Sequence, residues 1–156
     1  MTSAAGRPGA WDARHRAREA ALHAMYQLAV GKLAPAEAAT LLDEVREDGA
    51  APLDDESRAF ALRLANGAWE SRAALDAIIE PLCINWRLDR LAAIDHMVLR
   101  LAIHEWLAEP GTPPRVVLSE ALELARAYSG DSAVRFVNGV LDAAFRQLRA
   151  EGRIID

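Results

Sequence analysis

Residues 88–107 read LDRLAAIDHMVLRLAIHEWL, the most hydrophobic stretch of the chain. Leu91, Ala92, Ile94, Val98, Leu99, Leu101, Ala102, Ile103 and Trp106 point in nearly every direction around a helical axis. A helix that is apolar all round belongs in the middle of a fold, wrapped by other helices. His96, Arg100 and His104 interrupt it, four residues apart on one face. That column reads as a polar strip, with a metal or acid–base site as the alternative.

Working outward, the linker Pro110-Gly111-Thr112-Pro113-Pro114 breaks the chain after this helix. A further helix follows with Val117, Ala121, Leu124, Ala125 and Tyr128 on one stripe. Ser129-Gly130-Asp131 then separates it from a last helix carrying Val137, Val140, Leu141, Ala144, Phe145 and Leu148. Upstream, Asp55 to about Leu82 forms one helix, with Gly67 as a kink and Pro81 as its end. A first helix runs from about Asp12 to Val30, on the spacing of Ala17, Ala20, Ala21, Ala24, Met25, Leu28 and Ala29. A second starts at Pro35, carries Leu41, Leu42 and Val45, and ends in the acidic stretch Arg46–Asp48. The expected fold is all-α, a single-domain bundle of about six to seven helices around the buried central one. Residues 1–11 read as a disordered leader, 12–150 as the helical domain and 151–156 as a short tail.

Composition agrees. The 156 residues include 33 alanines and 20 leucines, against 18 valines, isoleucines and threonines together. Helix formers outnumber the β-branched residues that favour sheets. One cysteine, Cys83, permits no internal disulfide and no thiolate-rich metal site, and beside Pro81 and Trp86 it reads as core filler. No apolar run is long enough to span a membrane, and no secretory signal opens the chain, so the expected location is the cytoplasm. There is no HExxH, no phosphate-binding glycine loop and no GxSxG. The sequence presents no active site, and the expectation is a protein that is not an enzyme and uses no cofactor or metal.

Charge is unevenly spread. Residues 1–34 carry +3, residues 35–57 carry −7 and the remainder −1, for a net −5. The sharpest local feature is Arg14-His15-Arg16-Ala17-Arg18. Arg14 and Arg18 fall within about 40° of each other on a helix, so two guanidiniums line one edge. Guanidinium binds phosphate bidentately and stacks on bases, which suits single-stranded RNA; a plain solvated face is the alternative. Asn138-Gly139 breaks a local rule if the last helix is continuous, because glycine inside a helix costs about 1 kcal/mol relative to alanine. Pattern alone favours a break there; a continuous helix would imply close approach of another helix or a ligand.

Four strings, taken together and in order, resemble the NusB family of bacterial transcription antitermination factors. They are residues 14–26 (RHRAREAALHAMY), 99–105 (LRLAIHE), 119–125 (SEALELA) and 136–142 (FVNGVLD). The resemblance implies a NusB-like fold of two helical subdomains, Asn138-Gly139 inside a helix, and no catalytic activity. It also implies binding of boxA-type RNA together with NusE, a small-subunit ribosomal protein. That pair joins NusA, NusG and RNA polymerase to suppress termination, notably on ribosomal RNA operons.

Residue by residue, the resemblance places Arg14, His15, Arg16 and Arg18 against RNA, with His15 where relatives often have arginine. Arg135 and Asn138 join them, as does Phe136, either as a stacking face or as core. Tyr26 and Asp95 fall at positions implicated on the NusE side. Asp131 and Ser132 open the last helix at a position to which binding is sensitive, or an acid there caps the helix. The remaining alternatives are a protein–protein adaptor, and an accessory RNA-binding domain of a ribosomal RNA methyltransferase system, for which the chain leaves no room for a catalytic domain. A homodimer is open as a further partner state.

Overall fold

The computed structural model describes residues 10–31, 34, 37, 53–84 and 88–154. Residues 1–9 of the expected leader, most of the helix expected from Pro35, and Trp86 lie outside the described residues, while residues 10 and 11 already belong to the first helix. Every regular element among the described residues is helical. In chain order they are α1 (Ala10–Ala29), α2 (Asp55–Glu70), α3 (Arg72–Ile79), α4 (Ala93–Ala108), α5 (Pro114–Tyr128) and α6 (Asp131–Ala150). Short 3-10 turns, Glu80–Leu82 and Leu88–Arg90, follow α3 and precede α4. The chain divides into two compact units, residues 1–66 and 67–156. None of the described helices is long and apolar enough to cross a membrane.

In the first unit, α1 buries Ala17, Ala21, Leu22, Ala24, Met25 and Leu28, while α2 buries Phe60, Ala61, Leu64 and Ala65. The start of α2 is fixed by Asp54, whose carboxylate accepts a 2.8 Å hydrogen bond from the Ser57 N–H. This N-cap satisfies one of the donors that every helix start leaves open. The Ser57 backbone and side-chain hydrogen bonds hold the Asp54 carboxyl below its ordinary range, and the Arg16 and Arg14 charges add to that.

In the second unit, α4 packs against α3, α5 and α6. Every residue from Met97 to Ile103 is buried, as are Glu105 and Trp106, so the middle of the expected stretch is central, while the helix starts only at Ala93 and leaves Leu91 and Ile94 half-buried and Ala92 exposed. Trp106 donates through Nε1 to the Pro114 carbonyl at 3.1 Å and packs on Phe145 with ring centroids 5.4 Å apart. Arg100 is the unusual member, a guanidinium in the middle of the core. Asp76 on α3 answers it with two hydrogen bonds, 2.9 Å to Nε and 2.6 Å to a terminal nitrogen. His96 joins the same carboxylate at 2.7 Å. Burial pushes the Asp76 carboxyl up, but the Arg100 and His96 bonds and charges outweigh it and hold it below the usual carboxylate range.

Gly67 lies inside α2, where an added Cβ would come within 2.6 Å of the His104 Cε1 and still closer to Nε2. The glycine makes room for the imidazole. Burial pushes the His104 ring below its ordinary pKa, against the opposing pull of Glu109 and Glu105. The polar column on α4 therefore has two structural duties, one pairing with Asp76 and one packing on Gly67. Among the described residues no group of His, Cys, Asp or Glu could hold a metal ion.

The single helix expected from Asp55 to about Leu82 is interrupted at Ser71, between α2 and α3. There the Arg72 side chain donates to the Trp69 carbonyl at 2.7 Å and stacks on the Trp69 ring at 4.2 Å. A side chain thus replaces the backbone donor that a continuous helix would have supplied. The last helix runs unbroken through Asn138-Gly139 to Ala150. Gly152, at φ 74°, then closes it, with Arg153 N–H bonding the Leu148 carbonyl and Gly152 N–H the Arg149 carbonyl. That is a Schellman termination, which places the tail residue Ile154 in a buried position.

Two predictions follow from these contacts. Asp76→Ala leaves the Arg100 guanidinium buried and unpaired, and is expected to cost about 2–3 kcal/mol, less than a fully buried pair because Asp76 is partly exposed. Arg100→Met should cost less, since the Asp76 carboxylate can turn to water. The depressed Asp76 pKa contributes stability above its ordinary value of 3.8, lost as pH falls through the lowered folded value. Urea melts at pH 7 and pH 3 should show the gap between wild type and Asp76→Ala narrowing in acid. Second, Gly67→Ala should destabilise the wild type, yet stabilise a His104→Ala background by roughly 0.5–1 kcal/mol, because only helix propensity then remains. Equal effects in the two backgrounds would show that His104 does not explain the glycine.

Candidate nucleic-acid interface

The arginine cluster sits on α1, which begins at Ala10, so Arg14 lies beyond the first turn. The unfavourable field of the helix N-terminus fades within that turn, and the cations escape most of it. Arg14 and Arg18 share an edge, as the spacing requires, and that edge meets Phe60 of α2. The Arg14 Cζ stands 3.9 Å from the Phe60 ring centroid and the Arg18 Cζ 5.4 Å. Arg63, one turn along α2, brings a third guanidinium to 5.6 Å. The phenyl ring is 1% exposed, and these cation–π stacks are part of what covers it.

The three cations differ in access. Arg18 is buried at 4% exposure, Arg14 keeps 35% of its side chain in solvent, and Arg63 is exposed. Glu56, itself 84% exposed, bonds Arg14 at 3.2 Å. His15 and Arg16 are half-buried, with His15 3.9 Å from Glu19. Tyr26, nearer the end of α1, is half-buried.

The other sequence-selected residues belong to the second unit. Arg135 and Asn138 are exposed on α6 and Phe136 is half-buried between them in sequence. Gly139 is exposed too, and an added Cβ there would meet nothing within 4 Å. Among the described residues no neighbouring helix accounts for it. Asp131 and Ser132 are exposed in the first turn of α6, but Gly130 is the N-cap and no side chain caps the helix. Asp131 instead pairs with Arg126 at 3.6 Å. Asp95 stands in the first turn of α4, and its Oδ1 is buried with no hydrogen-bond partner.

The sequence profile of the NusB family matches residues 15–146, from the arginine cluster well into α6. The chain belongs to the NusB family. Among its relatives, the transcription antitermination protein NusB of Symbiobacterium thermophilum is 38% identical over 139 residues, covering 87% of this chain and 91% of that one. The NusB of Bacillus velezensis is 40% identical over 128 residues, 82% of this chain and 92% of that one. Among solved structures, Thermotoga maritima NusB aligns with a TM-score of 0.74 at 30% identity, over 86% of this chain and 91% of the other. A NusB chain from a complex of the antitermination factors NusB and NusE with double-stranded RNA aligns with a TM-score of 0.74 at 25% identity, over 86% and 97%. These named relatives are antitermination proteins rather than enzymes.

Phe60, Arg63 and Glu56 were not legible as parts of this NusB-type surface. The sequence places them about 40 residues beyond the arginine cluster, and no motif ties them to it. The opposite sign of charge in residues 1–34 and 35–57 was the available signal, and the Arg14–Glu56 pair bridges those two segments. Gly139 supplies a separate prediction. With open space around it in a helix interior, Gly139→Ala should raise stability by about 1 kcal/mol in thermal melts. A loss of stability would mean that the glycine serves the fold of the isolated chain after all.

Proposed function

We propose that this NusB-family chain is a transcription antitermination factor that binds single-stranded boxA-type RNA jointly with NusE. The complex supports read-through by RNA polymerase in the cytoplasm, especially on ribosomal RNA operons, with NusA and NusG as indirect partners. The observation that carries this reading is the arginine-bearing edge of α1, held against Phe60 in a chain of this family. A relative's complex with NusE and RNA supports the choice of partners. In this reading Arg14, His15 and Arg16 face the RNA backbone, while Arg18 holds the edge in place. On α6, Arg135 supplies a phosphate contact, Phe136 a stacking face and Asn138 a base contact. Tyr26, Asp95, Asp131 and Ser132 serve the NusE side.

Charge sets the expected behaviour. A chain of net −5 with one basic edge binds RNA weakly by itself. A basic ribosomal protein docked on it neutralises acid and extends the positive track. Fluorescence anisotropy of labelled boxA-type RNA, a scrambled strand and a duplex, each with and without NusE over a salt series, tests this. Selective binding of the single strand, strengthened by NusE and weakened by salt, is the expected result. Binding with no selectivity in any mixture would overturn the RNA reading and leave a protein–protein adaptor.

A further inference from the structure

We propose that the anion-binding face continues from α1 onto α2, with Arg63 as a further phosphate-binding residue, Phe60 as the positioning residue beneath it, and Glu56 as a resident competing anion. This rests on the RNA-binding reading above. The three guanidiniums meet one ring, with Arg14 at 3.9 Å, Arg18 at 5.4 Å and Arg63 at 5.6 Å from its centroid. Like charges repel, and the ring's negative face offsets part of that repulsion. The arrangement holds cations from two helices in one place before any ligand arrives, which lowers the ordering cost of binding.

Access divides the roles. Arg18 is 4% exposed and cannot reach a ligand, so it acts through Phe60 by filling one side of the ring. Arg14 and Arg63 reach solvent and sit on the same ring, positioned for phosphodiester oxygens. Glu56 already makes the contact on Arg14 that a phosphate would make, through one 3.2 Å bond from a side chain 84% exposed. A solvent-exposed ion pair of that kind is weak. A phosphodiester displaces it, and the acidic first turn of α2, Asp55 and Glu56, makes weak anions poor competitors for the site.

The test is anisotropy of single-stranded boxA-type RNA with the full chain and NusE, on variants whose melting curves match the wild type. Arg63→Gln is expected to weaken binding about fivefold at low salt and to reduce the salt slope by about 0.7, the signature of one lost phosphate contact on a single strand. Glu56→Gln should tighten binding about threefold, the opposite sign, by releasing Arg14. Phe60→Leu, which keeps most of the apolar bulk but removes the aromatic face, should weaken it. If Phe60→Leu fails to fold, Arg63→Gln and Glu56→Gln decide the matter by themselves. A wild type that binds selectively, with Arg14→Gln weakened but Arg63→Gln and Glu56→Gln unchanged, would overturn this inference and leave the RNA reading standing. A wild type with no selectivity for the RNA would overturn both.

Discussion

A guanidinium in the centre of an apolar helix must be met by a carboxylate, and in the second unit Asp76 meets Arg100 with two bonds. Desolvating such a pair is costly, so it adds little net stability compared with a hydrophobic filling. Its contribution is to specificity. The two parallel bonds allow one relative placement of α3 and α4, where an all-apolar contact would tolerate several. His96 on the same carboxylate narrows the choice further. With α4 placed, α3, α5 and α6 pack around it and present the polar side of α6 outward.

The first unit uses the same side chain in another way. Its guanidiniums lean on a phenyl ring, with Arg18 buried and Arg14 and Arg63 reaching solvent. Charge on the chain as a whole is negative, so general attraction for nucleic acid is weak and local arrangement has to do the selecting. A basic edge bounded by acid responds to a polyanion or to a basic protein partner, and is poorly suited to holding small anions. That division fits a member of a family whose named relatives act in transcription antitermination.

Much of the fold was legible because the decisive stretch is unambiguous. Nothing but a buried helix accommodates apolar side chains on every side from Met97 to Trp106. The positions that pattern misread depend on contacts it does not show, some between residues distant in sequence and some local. Gly67 reads as a kink until His104 is placed beside it, and Ser71 reads as mid-helix until the Arg72 side chain is seen on the Trp69 carbonyl. Asn138-Gly139 carries a turn signal that the surrounding apolar stripe of α6 overrides. The arginine edge was legible from spacing, yet its underside was not, because Phe60 is an ordinary core position by pattern. The burial of Arg18 has the same origin.

The most direct test follows arginine Nε–H signals in 15N-resolved NMR spectra while single-stranded boxA-type RNA is titrated into the chain with NusE. Arg14 and Arg16 should shift in proportion to bound RNA, while Arg100, locked on Asp76, stays where it is. Unmoved Arg14 and Arg16 signals under saturating RNA would contradict a binding site on the arginine edge of α1.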